Sequence, residues 1–164
     1  IESIIDNILI KLLSNDENLI GNLNGILKIR FDNLNNRLIK SGNIDILITE
    51  KNIKFSEAKI NLENIGFINT KISLLEDNGN IKFISNNHLN INNYIEFAKA
   101  FQIPSNKAKK IKQISFDLEK NIGETDFIIK NIRINGDENN QKSSEVYLVK
   151  NIQNLRSYIR KIID

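Results

Sequence analysis

The feature that most constrains the fold is a two-residue spacing of apolar side chains over residues 42–85. Ile44, Ile46 and Ile48 alternate with other residues there, and Ile81 and Phe83 repeat the pattern near the end of the stretch. Alternate residues of a β-strand point to the same face of the sheet. Gly, Asn and charged residues break the stretch into short segments, so it predicts four successive strands.

Two shifts in this alternation predict β-bulges. Apolar residues move from odd to even positions between Phe55 and Ala58, and again between Ile129 and Ile132. A one-residue slip would turn every later side chain to the opposite face, and an extra residue in one strand corrects it. We therefore expect bulges near residues 56–57 and within residues 127–134. The Asn78-Gly79 pair between two alternating segments predicts a two-residue hairpin.

The remaining segments complete an α+β plan. Alternation also predicts strands at residues 23–31, 114–118 and 127–134, whereas apolar residues at helical spacing predict helices at 1–13, 92–103 and 146–163. Strands follow one another without strand–helix–strand alternation, which favours an antiparallel β-meander of about seven strands. The helices are expected to be amphipathic, at the N-terminus, in the middle and at the C-terminus. The predicted ranges are helix 1–13, strand meander 23–85, helix 92–103, strands 111–135 and helix 146–163.

Composition further narrows the classes of protein to which the chain can belong. A chain of 164 residues fits one domain, and its lack of cysteine excludes disulfides and thiolate metal sites. The net charge of +3 does not by itself point to a nucleic-acid partner. No apolar run approaches the roughly 18 residues that would span a bilayer. Since methionine is also absent, we expect a piece of a longer chain whose membrane anchor, if it has one, lies elsewhere.

Candidate catalytic and binding groups are sparse, so we expect neither an enzyme nor a cofactor nor a metal. His88 is the sole histidine and lies in a polar stretch, which favours a surface position over a catalytic base. The sequence at 77–80 resembles a calcium loop faintly, but its Gly comes too early, and a hairpin turn is favoured. The Lys-rich run at 107–112 lacks interleaved aromatics, so a solvated linker is favoured over a nucleic-acid contact.

Units of glycine followed by alternating apolar residues recur along the chain, for example at 23–29, 41–46 and 79–83, and a related alternating unit lies at 131–135. With residues 55–66, this pattern resembles the AsmA-like proteins of Gram-negative bacteria, which include the TamB and YhdP types. The resemblance covers about residues 23–135 and carries no catalytic motif. It implies a long, curved antiparallel sheet in a mostly periplasmic protein that is tethered to the inner membrane.

The same resemblance implies a function in the cell envelope, in lipid transport or outer-membrane biogenesis. Phospholipid acyl chains would lie in a groove along the apolar face of the sheet, and other envelope proteins are further expected partners. The candidate lining residues are Ile44, Ile46, Ile48, Ile68, Ile72, Leu74, Ile81, Phe83, Ile114, Phe116 and Leu118. The same residues would form ordinary core if helices cover the face. A closed face would favour the alternative, a structural or protein-interaction module using strand edges or the last helix.

Overall fold

One antiparallel sheet of nine strands dominates the structure, a computed structural model that describes residues 24–32, 38–49, 52–55, 57–77, 80–121, 124, 126–136, 146–150 and 152–163. The predicted helix at 1–13 lies outside these residues. The strands are β1 (Gly25–Asp32), β2 (Ile39–Thr49), β3 (Asn52–Phe55), β4 (Ala58–Leu62), β5 (Gly66–Asp77), β6 (Asn80–Ile91), β7 (Gln113–Asn121), β8 (Phe127–Ile134) and β9 (Tyr147–Val149).

The strands lie in the order β1-β2-β4-β5-β6-β7-β8-β9, with β3 also paired to β2, and every neighbouring pair is antiparallel. The antiparallel sheet and the α+β class are therefore confirmed. The expected count of about seven strands is too low for two reasons. The predicted strand at 53–62 is divided into β3 and β4, and residues 147–149, expected to be helical, form the edge strand β9.

Both predicted bulges are confirmed by the strand register. Ile46 pairs with Phe55 while Asn43 pairs with Lys59, so the chain between β3 and β4 contains one residue more than the matching part of β2. The register of β7 and β8 shifts in the same way, beside Asn131. Asn131 has φ 55°, a left-handed conformation that asparagine tolerates better than most residues. Each extra residue keeps the apolar side chains on one face.

The longest pairing joins β5 to β6, from Gly66 opposite Ile91 to Asp77 opposite Asn80. This register leaves two residues for the turn, as the Asn-Gly pair predicted, and those two residues lie outside the described part of the chain. β6 extends further than the alternation suggested, through residues 86–90, where Asn86, Asn87 and Asn90 accompany His88 and Leu89. These Asn residues have low strand propensity, but their neighbours β5 and β7 supply hydrogen-bonding partners on both sides.

The described residues contain three helices. They are α1 (Tyr94–Phe101), α2 (Ser105–Ala108) and α3 (Ile152–Ile163). The Asn93 side chain caps α1 by accepting hydrogen bonds from the backbone N–H groups of Ile95 and Glu96, at 3.1 and 3.3 Å. The middle helix is thus confirmed, whereas part of the Lys-rich run expected to be a linker forms the short α2. The last helix begins after β9, later than predicted.

The pairing register puts most apolar strand positions on one face, which we call the apolar face. At one end of the sheet this face packs against the helices: Phe97 and Phe101 of α1 and Ile159 of α3 are buried there together with Ile114 and Ile129. We call this end the helix half. The opposite face is polar and carries ion pairs such as Arg30–Asp45, at 2.6 Å.

Candidate functional site

The other end of the apolar face contains a groove with a volume of about 240 Å³. We call this end the groove half. Only strand residues line the groove within the described part of the chain, and they come from seven strands, β1 to β7. Two of the lining residues, Ile44 and Ile46, form a small buried cluster with Ala58. The lining residues are Ile29, Ile44, Ile46, Phe55, Ile60, Thr70, Ile72, Phe83, Ser85, Asn87 and Leu118.

The structure divides the predicted lining residues between the two halves. Those that line the groove are Ile44, Ile46, Ile72, Phe83 and Leu118. Ile114 is buried in the core of the helix half, and Ile68 and Phe116 pack against that core, so for these three the groove assignment is wrong. They lie on the correct face but at the end that the helices cover. Leu74 is partly buried opposite Phe83, outside the groove lining, and the side chains of Ile48 and Ile81 are not among those described.

Sequence reasoning missed six of the eleven residues that line the groove. Ile29, Phe55 and Ile60 lie on β1, β3 and β4, and cross-strand pairing brings Ile29 opposite Ile44 and Phe55 opposite Ile46. Their alternation was visible, but strand order is needed to show that they meet the other lining residues. Thr70, Ser85 and Asn87 were missed for another reason, since a search for an apolar lining ignores polar residues.

Three polar side chains are buried within this apolar surface. Thr70, Ser85 and Asn87 are 5 %, 3 % and 8 % exposed. Thr70 and Asn87 are directly opposite each other across β5 and β6, and Ser85 lies on the same face two residues before Asn87. These positions place the polar group at the inner end of the groove, because the next residue of β6 on that face is Leu89, in the core of the helix half.

The three buried polar side chains differ in how fully they are hydrogen-bonded. Asn87 Nδ2 donates to Ser85 Oγ at 3.0 Å, and to the backbone carbonyls of Ser85 and Phe116 at 3.1 and 3.3 Å. The buried Thr70 hydroxyl makes no hydrogen bond to any described residue. An unsatisfied buried hydroxyl costs on the order of 1–3 kcal/mol of stability. The Thr70 hydroxyl is therefore a hydrogen-bonding group of the groove that no described residue satisfies.

The part of the groove lining that the structure describes contains no charged side chain. An ionisable side chain lies on the opposite face of the sheet. Asp45 is on the polar face of β2, between Ile44 and Ile46 in the sequence. The Arg30 guanidinium donates a hydrogen bond to Asp45, and this bond, aided by the charges of Arg30 and Lys28, holds the pKa of that carboxyl below its usual value against a smaller opposing effect of burial. Inside the groove, a ligand meets apolar contacts and neutral hydrogen-bonding groups.

A second depression, of about 420 Å³, lies between β9 and α3. Tyr147 and Tyr158 pack there with ring centroids 3.5 Å apart, and Lys161 Nζ lies 5.5 Å from the centroid of the Tyr147 ring. Lys150, on its rim, is 3.7 Å from Asp126. This depression is more polar than the groove and is lined by one strand, one helix and their connection, so it brings together fewer parts of the sheet than the groove does.

Other site types find no support within the described ranges. No group of three or more His, Asp or Glu side chains there is placed to hold a metal ion. His88 is exposed on the polar face, as expected from its surroundings. None of the described helices is both long enough and apolar enough to cross a membrane.

Comparison with known proteins leaves the geometry as the main guide to function. No protein-family model, curated protein or solved structure matches the chain.

Proposed function

We propose that this chain is a non-enzymatic segment of an AsmA-like envelope protein that binds or conducts lipid along its apolar sheet face. The observation that carries the proposal is the groove, whose apolar side chains from seven neighbouring strands surround a space of about 240 Å³. Pockets for drug-sized ligands have volumes of roughly 300–1,000 Å³. The groove is slightly smaller, so it fits one acyl chain, or part of one, better than a bulky ligand.

The envelope setting rests on the sequence resemblance. Under this proposal the segment is periplasmic, tethered to the inner membrane by sequence outside it, and part of outer-membrane lipid transport or biogenesis. Its partners are phospholipid acyl chains and other envelope proteins, not nucleic acid, and it uses no cofactor. The two predicted bulges support a curved sheet, because an extra residue bends its strand and increases local twist.

Native mass spectrometry of the segment purified from a bacterial host, followed by lipid extraction, tests the proposal. Phe83→Asp puts a charge into the groove, and Leu75→Asp puts the same charge on the neighbouring strand of the polar face, where Leu75 is 52 % exposed. We expect lipid to co-purify with the wild type and Leu75→Asp but not with Phe83→Asp. Ile46→Asp is a poorer test, because Ile46 is 2 % exposed and a buried charge would disrupt the fold.

Circular dichroism must show that both variants keep the strand content of the wild type. A wild-type segment that carries no lipid, and takes up none when incubated with phospholipid vesicles, would refute lipid binding. Equal lipid content in the two folded variants would place the bound lipid somewhere other than this groove.

A second function, as a protein-interaction module, is favoured by the edge strand β1. Its outer edge pairs with no strand among the described residues, and Ile26 is 60 % exposed. Such an edge can accept a strand from another protein. Self-association in analytical ultracentrifugation that is lost in Ile26→Lys, together with an absence of bound lipid, would favour this module over lipid binding.

A further inference from the structure

The buried polar residues of the groove select among apolar ligands. A groove that binds hydrocarbon alone gains nothing from Thr70, Ser85 and Asn87, because each polar group taken from water needs a hydrogen-bonding partner. Asn87 and Ser85 partner each other, but the buried Thr70 hydroxyl has no partner among the described residues, and the residue as a whole is 5 % exposed. A ligand that supplies this missing partner would bind more tightly than a plain hydrocarbon chain.

The charge of the lining limits what that partner can be. Among the residues that the structure describes, no Lys, Arg or His side chain lines the groove. A carboxylate or phosphate buried there would lose its hydration without gaining a counter-charge, which is strongly unfavourable. The buried polar group of the ligand must therefore be neutral. The Thr70 hydroxyl can donate to a neutral oxygen acceptor.

We propose that the groove binds an acyl ester, with the chain against the apolar walls and the ester carbonyl accepting a hydrogen bond from the Thr70 hydroxyl. This inference rests on the proposed function and specifies its ligand. It places the ester at the inner end of the groove, beside the helix half, where Thr70 lies opposite Asn87. The hydrocarbon would extend from there along Ile72 and Phe83.

Displacement of an apolar fluorescent dye, N-phenylnaphthylamine, tests the inference on the whole segment. The competitors share one chain length and differ in their polar group: methyl decanoate, decanoate and decane. We expect the wild type to bind the ester more tightly than decanoate. In Thr70→Val, which has nearly the same shape but no hydroxyl, the half-displacing concentration of the ester should rise about fivefold while that of decane stays unchanged, as the loss of one net hydrogen bond predicts.

Two control variants separate the hydroxyl from other effects. Thr70→Ser keeps the donor and should bind the ester as the wild type does. Ser73→Ala removes an exposed hydroxyl from the polar face of the same strand and should change nothing. Because Thr70→Val removes an unsatisfied buried hydroxyl, its melting temperature should stay the same or rise by about 2–4 °C. Weaker ester binding by a protein that is no less stable cannot be attributed to unfolding.

The outcomes distinguish this inference from the proposed function. If the dye binds and every competitor displaces it equally well from the wild type and Thr70→Val, lipid binding stands and the ester contact is refuted. If decanoate binds more tightly than the ester, the ligand is an acid and the inference is wrong. If the wild type binds neither the dye nor any competitor, the groove is not a lipid site and both proposals fail.

Discussion

The helix half and the groove half share one sheet face and one kind of side chain, yet one is closed and the other holds a cavity. The difference follows the connections between strands. At the helix end, the chain takes residues 92–112 to pass from β6 to β7, which is long enough to form α1 and α2. At the groove end, two residues separate β2 from β3 and two separate β5 from β6. These two tight turns supply no covering layer, whereas the helix half is covered by α1 and α2 from the long connection and by α3, which follows the last described strand.

Truncating an aromatic side chain in each half tests this difference most strongly. Phe97 is fully buried under α1, and Phe97→Ala should reduce the free energy of unfolding by about 3–5 kcal/mol because it leaves a cavity. Phe83 is partly exposed and already faces the groove, so Phe83→Ala should cost about 1 kcal/mol. Urea denaturation of both variants measures the contrast, and equal losses would show that the groove half is packed as tightly as the helix half.

Two glycines, one near each half, allow the packing of the backbone to be compared in the same way. A methyl group added at Gly66, beside the helix half, would overlap the Asn90 carbonyl oxygen, which is fixed in the sheet. At Gly42 the same methyl would overlap the end of the Phe31 ring, a side chain, and would lie 3.0 Å from the Lys59 carbonyl oxygen. We expect Gly66→Ala to lower stability by about 3 kcal/mol and Gly42→Ala by about 1 kcal/mol, from the usual cost of overpacking. A reversed order in thermal melts would contradict this account.

The smallest expected effect concerns Asp45, on the polar face behind the groove. Its lowered pKa means that the ionised carboxyl stabilises the fold at pH values above the unfolded pKa of about 3.9, and that this contribution disappears as the pH falls through the lower folded pKa. Asp45→Asn should therefore lower the melting temperature slightly at neutral pH and not at all in strong acid. Arg30→Gln removes the same ion pair and should show the same pH dependence; a pH-independent deficit in either variant would exclude this mechanism.

Much of the fold can be predicted from local sequence patterns. The phase changes at Phe55 and Ile129 located both bulges, and the Asn-Gly pair located the longest hairpin, because side-chain alternation and turn chemistry depend on neighbouring residues alone. The edge strand β9 was mistaken for helix, since Val149, Ile152 and Leu155 continue a helical spacing across the junction. Its pairing with β8 overrides that local pattern.

The candidate site was less predictable than the fold. Alternation assigned Ile68, Ile114 and Leu118 to one face, but it could not say which end of that face the helices cover. The groove needs the strand order, because Ile29 and Leu118 are distant in sequence and come from strands separated in the sheet by β2, β4, β5 and β6. The polar residue Thr70 stands out once its surroundings are known to be apolar.

The order of the strands also affects how the chain can fold while it is being synthesised. Every described strand after β1 except β4 pairs with the strand that precedes it in the chain, and β4 pairs with β2, so pairing can advance as the ribosome releases the chain. Helix α3 is the last described element and follows all nine strands. During synthesis the apolar side chains of the helix half, Ile129 among them, therefore remain exposed to water until α3 covers them. This interval is when a nascent chain of this kind would most need a chaperone, and when mispairing between chains would be most harmful.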